Sequence, residues 1–235
     1  MIHRNYLSLC LFALLFTAKA QWNANTSINT PVCNAIAGQK NLVIVSDTKG
    51  GAIMAWSDAR MGTGFDDIYA QRISSQGFTL WPANGIAVCN NPTDQSSVSA
   101  IEDGAGGIIL AWNDLRSGNS DIYAQKVDSN GTVQWTINGV SVVSKIKAQI
   151  SPKLISDGGG GAIVVWQDSI NGLWDIYAQR INSSGSALWT AGGISICNSA
   201  GNQINPKLQP DGQGGAIITW QDKRTGVDYD IYAQR

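Results

Sequence analysis

Asp67-Ile68-Tyr69-Ala70-Gln71-Arg72 occurs again at 121–126 with Lys for the final Arg, at 175–180 and at 230–235. The copies begin 54, 54 and 55 residues apart, a period that marks a chain built by tandem repetition of one supersecondary unit. Around the third copy the unit can be read strand by strand. Ser151–Asp157 is a short strand A, Gly158–Gly161 a turn, and Ala162–Trp166 an apolar strand B. Gln167–Trp174 is a loop, Asp175–Ile181 is strand C, and Leu188–Cys197 is strand D, interrupted by Gly192-Gly193. Short segments rich in Ile, Val, Trp and Tyr, separated by Gly, Asp, Ser and Asn, are the pattern of antiparallel strands.

Strand B is apolar at successive positions in every copy: Ala52–Trp56, Ile108–Trp112, Ala162–Trp166 and Ala216–Trp220. Uninterrupted apolar character requires both faces of the sheet to be covered. A four-stranded antiparallel unit, buried on both faces and repeated at this period, is a β-propeller blade, so an all-β propeller of four blades is predicted. A solenoid is the lesser alternative, because its repeats are ordinarily shorter. The domain reading is a signal peptide over 1–20 and a propeller over 21–235. A strand D at 22–33 opens the propeller, with repeats at about 41–89, 96–144, 151–197 and 205–235. Two arrangements follow. Pairing of 22–33 with the last strand C, within Tyr229–Arg235, closes a four-blade ring without free sheet edges; otherwise the blades form an arc of a larger propeller.

Met1–Tyr6 carries Arg4, Leu7–Phe16 is an apolar run, and Ala18-Lys19-Ala20 places small residues where a signal peptidase reads. A secretory signal peptide cleaved after Ala20 is expected, and with it a secreted or cell-envelope location. The run is shorter than the roughly 18–20 apolar residues a membrane span needs, and the mature chain has no other candidate. Removing Arg4 and Lys19 from the 16 basic residues leaves 14 against 17 acidic ones, which is not the footprint of a nucleic-acid binder. The single histidine, His3, lies in the signal peptide, so a Ser-His-Asp triad and a His-ligated zinc are excluded from the mature chain. Cys33, Cys89 and Cys197 share one repeat position, with Val143 at the fourth; an odd count at equivalent places predicts buried thiols rather than bridges. No cofactor and no metal is expected.

Of the 16 aspartates, 12 occupy three repeat positions. Asp47, Asp103, Asp157 and Asp211 open the A–B turns, where a carboxylate accepts backbone N–H groups while Gly supplies the unusual backbone angles. A calcium loop is the alternative, but Gly fills the positions where further carboxylates are needed. Asp58, Asp114, Asp168 and Asp222 leave strand B, Arg60, Arg116 and Arg224 follow two residues later, and Asp67, Asp121, Asp175 and Asp230 begin strand C. An Arg between two carboxylates suits bidentate bonding that ties the hairpin together.

Asp211-Gly212-Gln213-Gly214-Gly215, the apolar Ala216–Trp220, Asp222-Lys223-Arg224-Thr225-Gly226 and Asp230-Ile231-Tyr232 together resemble the repeat of TolB-type (PD40, WD40-like) β-propellers. The Asp-Ile-Tyr-Ala-Gln-Arg units are similar to those of secreted bacterial multi-repeat propellers, and the resemblance covers about residues 22–235. It implies a secreted or envelope interaction scaffold. TolB-type propellers have more than four blades, and this chain departs from them there.

The places where the copies disagree are the candidate sites. Blade 3 has Ile170 in place of the Arg and Trp174 just before Asp175; Phe65 and Tyr229 stand at similar loop positions in blades 1 and 4. The expected ligand-binding set is Phe65, Trp174 and Tyr229, with Asp58, Arg60, Asp114, Arg116, Asp222 and Arg224, on the face shared by the B–C and D–A loops. The ligand would be a glycan or peptide, and no catalytic residue is assigned. The function expected is a non-enzymatic binding or scaffold module with a protein or carbohydrate partner. A sialidase-like glycoside hydrolase, a structural repeat of a larger surface protein and a calcium-stabilised module are the alternatives. Glu102 is the only Glu, so the hydrolase would need carboxylates that the repeat does not explain.

Overall fold

The computed structural model describes residues 22–23, 25–62 and 64–235, which fold into fifteen strands. Among the described residues no helix is long and apolar enough to cross a membrane. The expected signal peptide lies outside them.

Blade 1 consists of β1 (Gln39–Ser46), β2 (Ala52–Asp58), β3 (Asp67–Ile73) and β4 (Ile86–Cys89). Blade 2 is β5 (Gln95–Glu102), β6 (Ile108–Asp114), β7 (Asp121–Val127) and β8 (Val140–Val143). Blade 3 is β9 (Gln149–Ser156), β10 (Ala162–Asp168), β11 (Asp175–Ile181) and β12 (Ile194–Cys197), and blade 4 has three strands, β13 (Gln203–Pro210), β14 (Ala216–Asp222) and β15 (Asp230–Gln234). The all-β propeller of four antiparallel blades is as the repeat predicts.

Strands pair in chain order, and one register recurs: Asp58 lies opposite Asp67, Asp114 opposite Asp121, Asp168 opposite Asp175, and Asp222 opposite Asp230. The inner strand of every blade is bulged just after its first residues. At each bulge stands a left-handed residue, Asn41, Ser97, Ser151 or Asn205, with φ of 57°, 54°, 59° and 54°. The twist this adds turns the inner edge toward the preceding blade. There the Ser151 amide donates to Asn113 Oδ1 of blade 2, and the Asn205 amide to Gln167 Oε1 of blade 3, each at 3.1 Å.

The apolar strands B lie where the sequence requires, between two covered faces. Ile53, Ala55 and Ile68 of blade 1 pack on Val98, Leu110 and Trp112 of blade 2, and the same interface recurs between blades 2 and 3 and between blades 3 and 4. Strand D is shorter than predicted, four residues in each of blades 1 to 3. In blade 3 the Gln179 amide donates to Thr190 O, and its carbonyl accepts from the Trp189 amide, so the stretch before β12 is held as a turn.

Residues 22–33 form no strand among those described. Val32 and Cys33 pack on Met54, Trp56, Tyr69 and Ile73 of blade 1. Trp22 Nε1 donates to Ser75 O at 2.8 Å, the bond that Trp81 makes to Ser129 O and Trp135 to Ser183 O across the inner interfaces. The segment therefore sits where a preceding blade's last strand would sit, but it does not pair with β15. The expected ring closure is not made, and the four blades stand as an open arc.

Candidate functional site

At the B–C corner of each blade the buried Trp of strand B donates its indole N–H to the Asp two residues on, as in Trp112 to Asp114 at 2.9 Å. The Arg then grips the same carboxylate. Arg116 Nε meets Asp114 Oδ1 at 2.8 Å and Nη2 meets Oδ2 at 2.6 Å, while Nη2 also reaches Cys89 Sγ at 3.3 Å and Asn138 O at 2.7 Å. Its guanidinium lies 3.8 Å from the centroid of the Tyr123 ring. Arg60 with Asp58, Cys33 and Tyr69 repeats the arrangement, and so does Arg224 with Asp222, Cys197 and Tyr232. Asp58, Asp114 and Asp222 are wholly buried. Burial raises Asp58 and Asp222, but the bonds from Arg and Trp outweigh it; Asp58 stays below the usual carboxylate range and Asp222 falls to about 2. These six predicted residues are thus occupied in holding corners, and the Arg does not bridge two carboxylates as expected. Among the described residues no hydrogen bond joins Arg60 to Asp67. The three thiols are unpaired, and burial pushes Cys89 up to about 12.

The A–B turns follow the sequence reading: Asp157 Oδ1 accepts from the Gly159 and Gly161 amides, each at 2.8 Å. The turn carboxylate also takes the last residue of the repeated phrase. Arg72 pairs with Asp47 at 2.8 Å, Lys126 with Asp103 at 3.7 Å, Arg180 with Asp157 at 3.2 Å and Arg235 with Asp211 at 2.8 Å. This pairing was not seen in sequence reasoning, although the constant spacing of the two positions was a signal for it.

The aromatic candidates stand apart. Phe65 and Tyr229 are 44% and 43% exposed, and Trp174 is half-buried, with its amide bonded to Asn202 Oδ1 at 3.0 Å. Each belongs to its own blade, and among the described residues no contact joins them.

Carboxylates that the repeat does not explain do come together, between blades 1 and 2. Asp66 precedes Asp67 where the other blades have Ser120, Trp174 and Tyr229, and Asp94 occupies the place of Gly38, Ala148 and Asn202. The Asp66 amide donates to Asp94 Oδ1 at 3.0 Å, and Asp66 Oδ2 pairs with Lys40 Nζ at 2.8 Å. Lys40 is held above its ordinary value by that bond and by the charges of Asp66 and Asp94. Asp67 is 5% exposed, and among the described residues its Oδ2 meets no donor. Burial, then the charges of Asp58 and Asp66, push its carboxyl up to about 6. Asp175 in blade 3 is raised by burial too, but there Asn171 Nδ2 donates to its Oδ2 at 2.7 Å. The group was missed in sequence because Asp67 reads as one copy of a repeated residue; the irregular letters Asp66 and Asp94 were the signal.

No family model matches the chain, and no curated protein does. Solved structures are similar to it. One is the endo-arabinase from Bacteroides thetaiotaomicron VPI-5482, 13% identical with a TM-score of 0.46 over 79% of this chain and 71% of that one. A thermostable family-43 glycoside hydrolase is 12% identical, TM-score 0.46, over 79% and 68%. Zg3597, a family 117 glycoside hydrolase of the marine bacterium Zobellia galactanivorans, is 11% identical, TM-score 0.48, over 82% and 68%. At such identities the likeness is one of fold. Against the non-enzymatic module expected from the sequence stand the three structures named, an arabinase and two glycoside hydrolases rather than binding scaffolds. That expectation rested on Glu102 being the only Glu and on the Arg and Tyr being explained by the repeat.

Proposed function

We propose that the chain is a glycan-processing propeller of glycoside-hydrolase type, with the carboxylate group between blades 1 and 2 as its reaction centre. The observation that carries this reading is Asp67, an acid pushed up to about 6 by burial and by the charges of Asp58 and of Asp66, the second a carboxylate foreign to the repeat. Glycoside hydrolysis divides its work between a carboxyl that keeps a proton for the leaving oxygen and a second carboxylate that acts on the sugar carbon, directly or through water. Asp67 has the environment of the first. We assign the second to Asp94, half-buried, whose Oδ1 accepts from the Asp66 amide as Asn202 Oδ1 does from that of Trp174. Phe65 is exposed next to Asp66 and offers a ring face to a sugar. Within the propeller fold we place the repeat with the TolB-type units, and the apolar run at 7–16 favours delivery outside the cell.

The test is hydrolysis of a panel of aryl glycosides and polysaccharides by the mature protein, with Asp67→Asn and Asp175→Asn compared. Both positions begin a strand C, are buried and stand at the same register. The expected result is a loss of about 10²–10⁴ in rate for Asp67→Asn, with Asp175→Asn close to wild type. No turnover on any substrate, or equal losses from the two variants, would overturn the reading.

A further inference from the structure

The inner strands of blades 3 and 4 carry a lysine at the same repeat position, Lys153 on β9 opposite Val165 and Lys207 on β13 opposite Thr219; blades 1 and 2 have Val43 and Ser99 there. Neighbouring blades bring these strands side by side at the inner rim. Among the described residues neither lysine makes an ion pair, in a chain where eight other Lys and Arg side chains hold a B–C or A–B aspartate. Burial, then the charge of Lys207, hold the Lys153 ammonium below its ordinary value, and no carboxylate acts against them. A half-buried cation facing a like charge without a counter-ion is unfavourable in the empty protein and is relieved by an anion.

Space and donors for one are present. A recess of about 300 Å³ opens beside Lys153 and is lined by the polar Asn41, Ser97 and Ser151 and by the aliphatic Leu42, Val43 and Val98. The three polar residues are the left-handed bulge residues of blades 1 to 3, so the distortion of the inner strands sets one amide and two hydroxyl side chains on the rim that the lysine faces. A lysine supplies three donors and no acceptor, and hydroxyl and amide groups add more, so the lining suits an acceptor-only ligand. Charge-assisted bonds of this kind are the strong ones.

We propose that this rim is a binding site for an oxyanion, a carboxylate or a sulfate group, held by Lys153 with Ser97, Ser151 and Asn41 around it and with Lys207 on the neighbouring inner strand adding its charge. The site lies on the inner strands rather than at the B–C corners, and its occupation is read without turnover, so it stands or falls separately from the hydrolase reading.

Calorimetric titration of the mature protein at fixed ionic strength tests it, with sodium sulfate, an oligogalacturonate and a neutral oligosaccharide of the same length as probes. The expected result is one-site binding of sulfate, of the uronate or of both, and none of the neutral sugar. Sulfate alone assigns the site to sulfate esters, and the uronate alone to carboxylates. Lys153→Gln and Lys207→Gln are each expected to weaken binding about ten-fold or more, while Lys147→Gln, on an exposed loop, leaves it unchanged. Unliganded Lys153→Gln should melt no lower than wild type, because the substitution removes a repulsion. The proposal is overturned if neither anion binds, if the neutral sugar binds as well as the uronate, or if both lysine variants bind like the wild type.

Discussion

Arg116 shows what one side chain does at a blade corner: it neutralises a buried carboxylate, caps an aromatic ring and reaches the sulfur of the preceding blade. Blade 3 has no Arg at this place, yet the corner still holds a cation. Lys145, from the preceding blade's D–A loop, brings Nζ to 2.8 Å from Asp168 Oδ2 and 4.3 Å from the centroid of Tyr177. Where the Arg is absent, as Ile170, the sulfur is absent too, as Val143. The two exceptions are one exception, because a guanidinium that is not there leaves the thiol without its contact. Arg116→Ala should therefore lower stability by about 3 kcal/mol, since it strands a buried charge rather than merely deleting an exposed ion pair. Arg116→Lys should restore only part of this, lacking the planar fork that meets both oxygens. Ile170→Arg alone should gain nothing while Lys145 occupies the corner. Urea unfolding of the three variants decides it; a loss for Arg116→Ala no greater than the roughly 1 kcal/mol of a surface pair would show that Asp114 does not need its cation.

At the scale of the element, strand C makes each letter of the repeated phrase intelligible. In β7 the Ile122 and Ala124 side chains are buried, Tyr123 lies under Arg116, Gln125 holds Thr136 O and the Trp135 amide, and Lys126 turns to Asp103. Strands B and C were legible in sequence because they are apolar or invariant across the copies. The late start of strand D was not, because what holds the stretch before it as a turn is a glutamine ten residues away. Nor was the cluster of Asp66, Asp67 and Asp94, because its members come from two blades and only the fold brings them together. The glycine before strand D has a similar hidden constraint. Gly139 has φ of 90°, and a Cβ there would meet Trp112 Cη2 at 2.6 Å and Ala124 O at 2.9 Å. Gly118, with φ of 97°, has open space around it. Gly118→Ala should cost about 1–2 kcal/mol for the backbone alone, and Gly139→Ala clearly more, because ring and carbonyl must both yield. Thermal unfolding of the pair separates the two costs; equal losses would mean that the Trp112 contact is soft.

At the scale of the whole molecule, the arc presents two faces that match. Ile53, Ile109 and Ile163 are at most 1% exposed, and Ile68, Ile122 and Ile176 are fully buried, each against the next blade; their counterparts in blade 4, Ile217 and Ile231, are 49% and 72% exposed. On the other side, Val98 of blade 2 is 6% exposed, whereas its counterpart in blade 1, Leu42, is 64% exposed, with Ile44 beside it at 64%. The first face has the form of every blade's forward side and the second that of every backward side, so each complements the other in the way the chain uses three times internally. Such an interface is heterologous, and it either closes a ring or propagates. A protein comprising residues 21–235 should accordingly associate head to tail as its concentration rises, which sedimentation velocity will show. Ile231→Lys removes the forward face and Leu42→Lys the backward one, each at a site too exposed to disturb the fold, and each variant alone should sediment as a monomer. Mixed, they retain one intact face apiece and should form a dimer and nothing larger. A wild type that stays monomeric, or single variants that associate like it, would show that the open faces do not recognise each other; a mixed pair that stops at two copies fixes the direction of the contact as well as its existence.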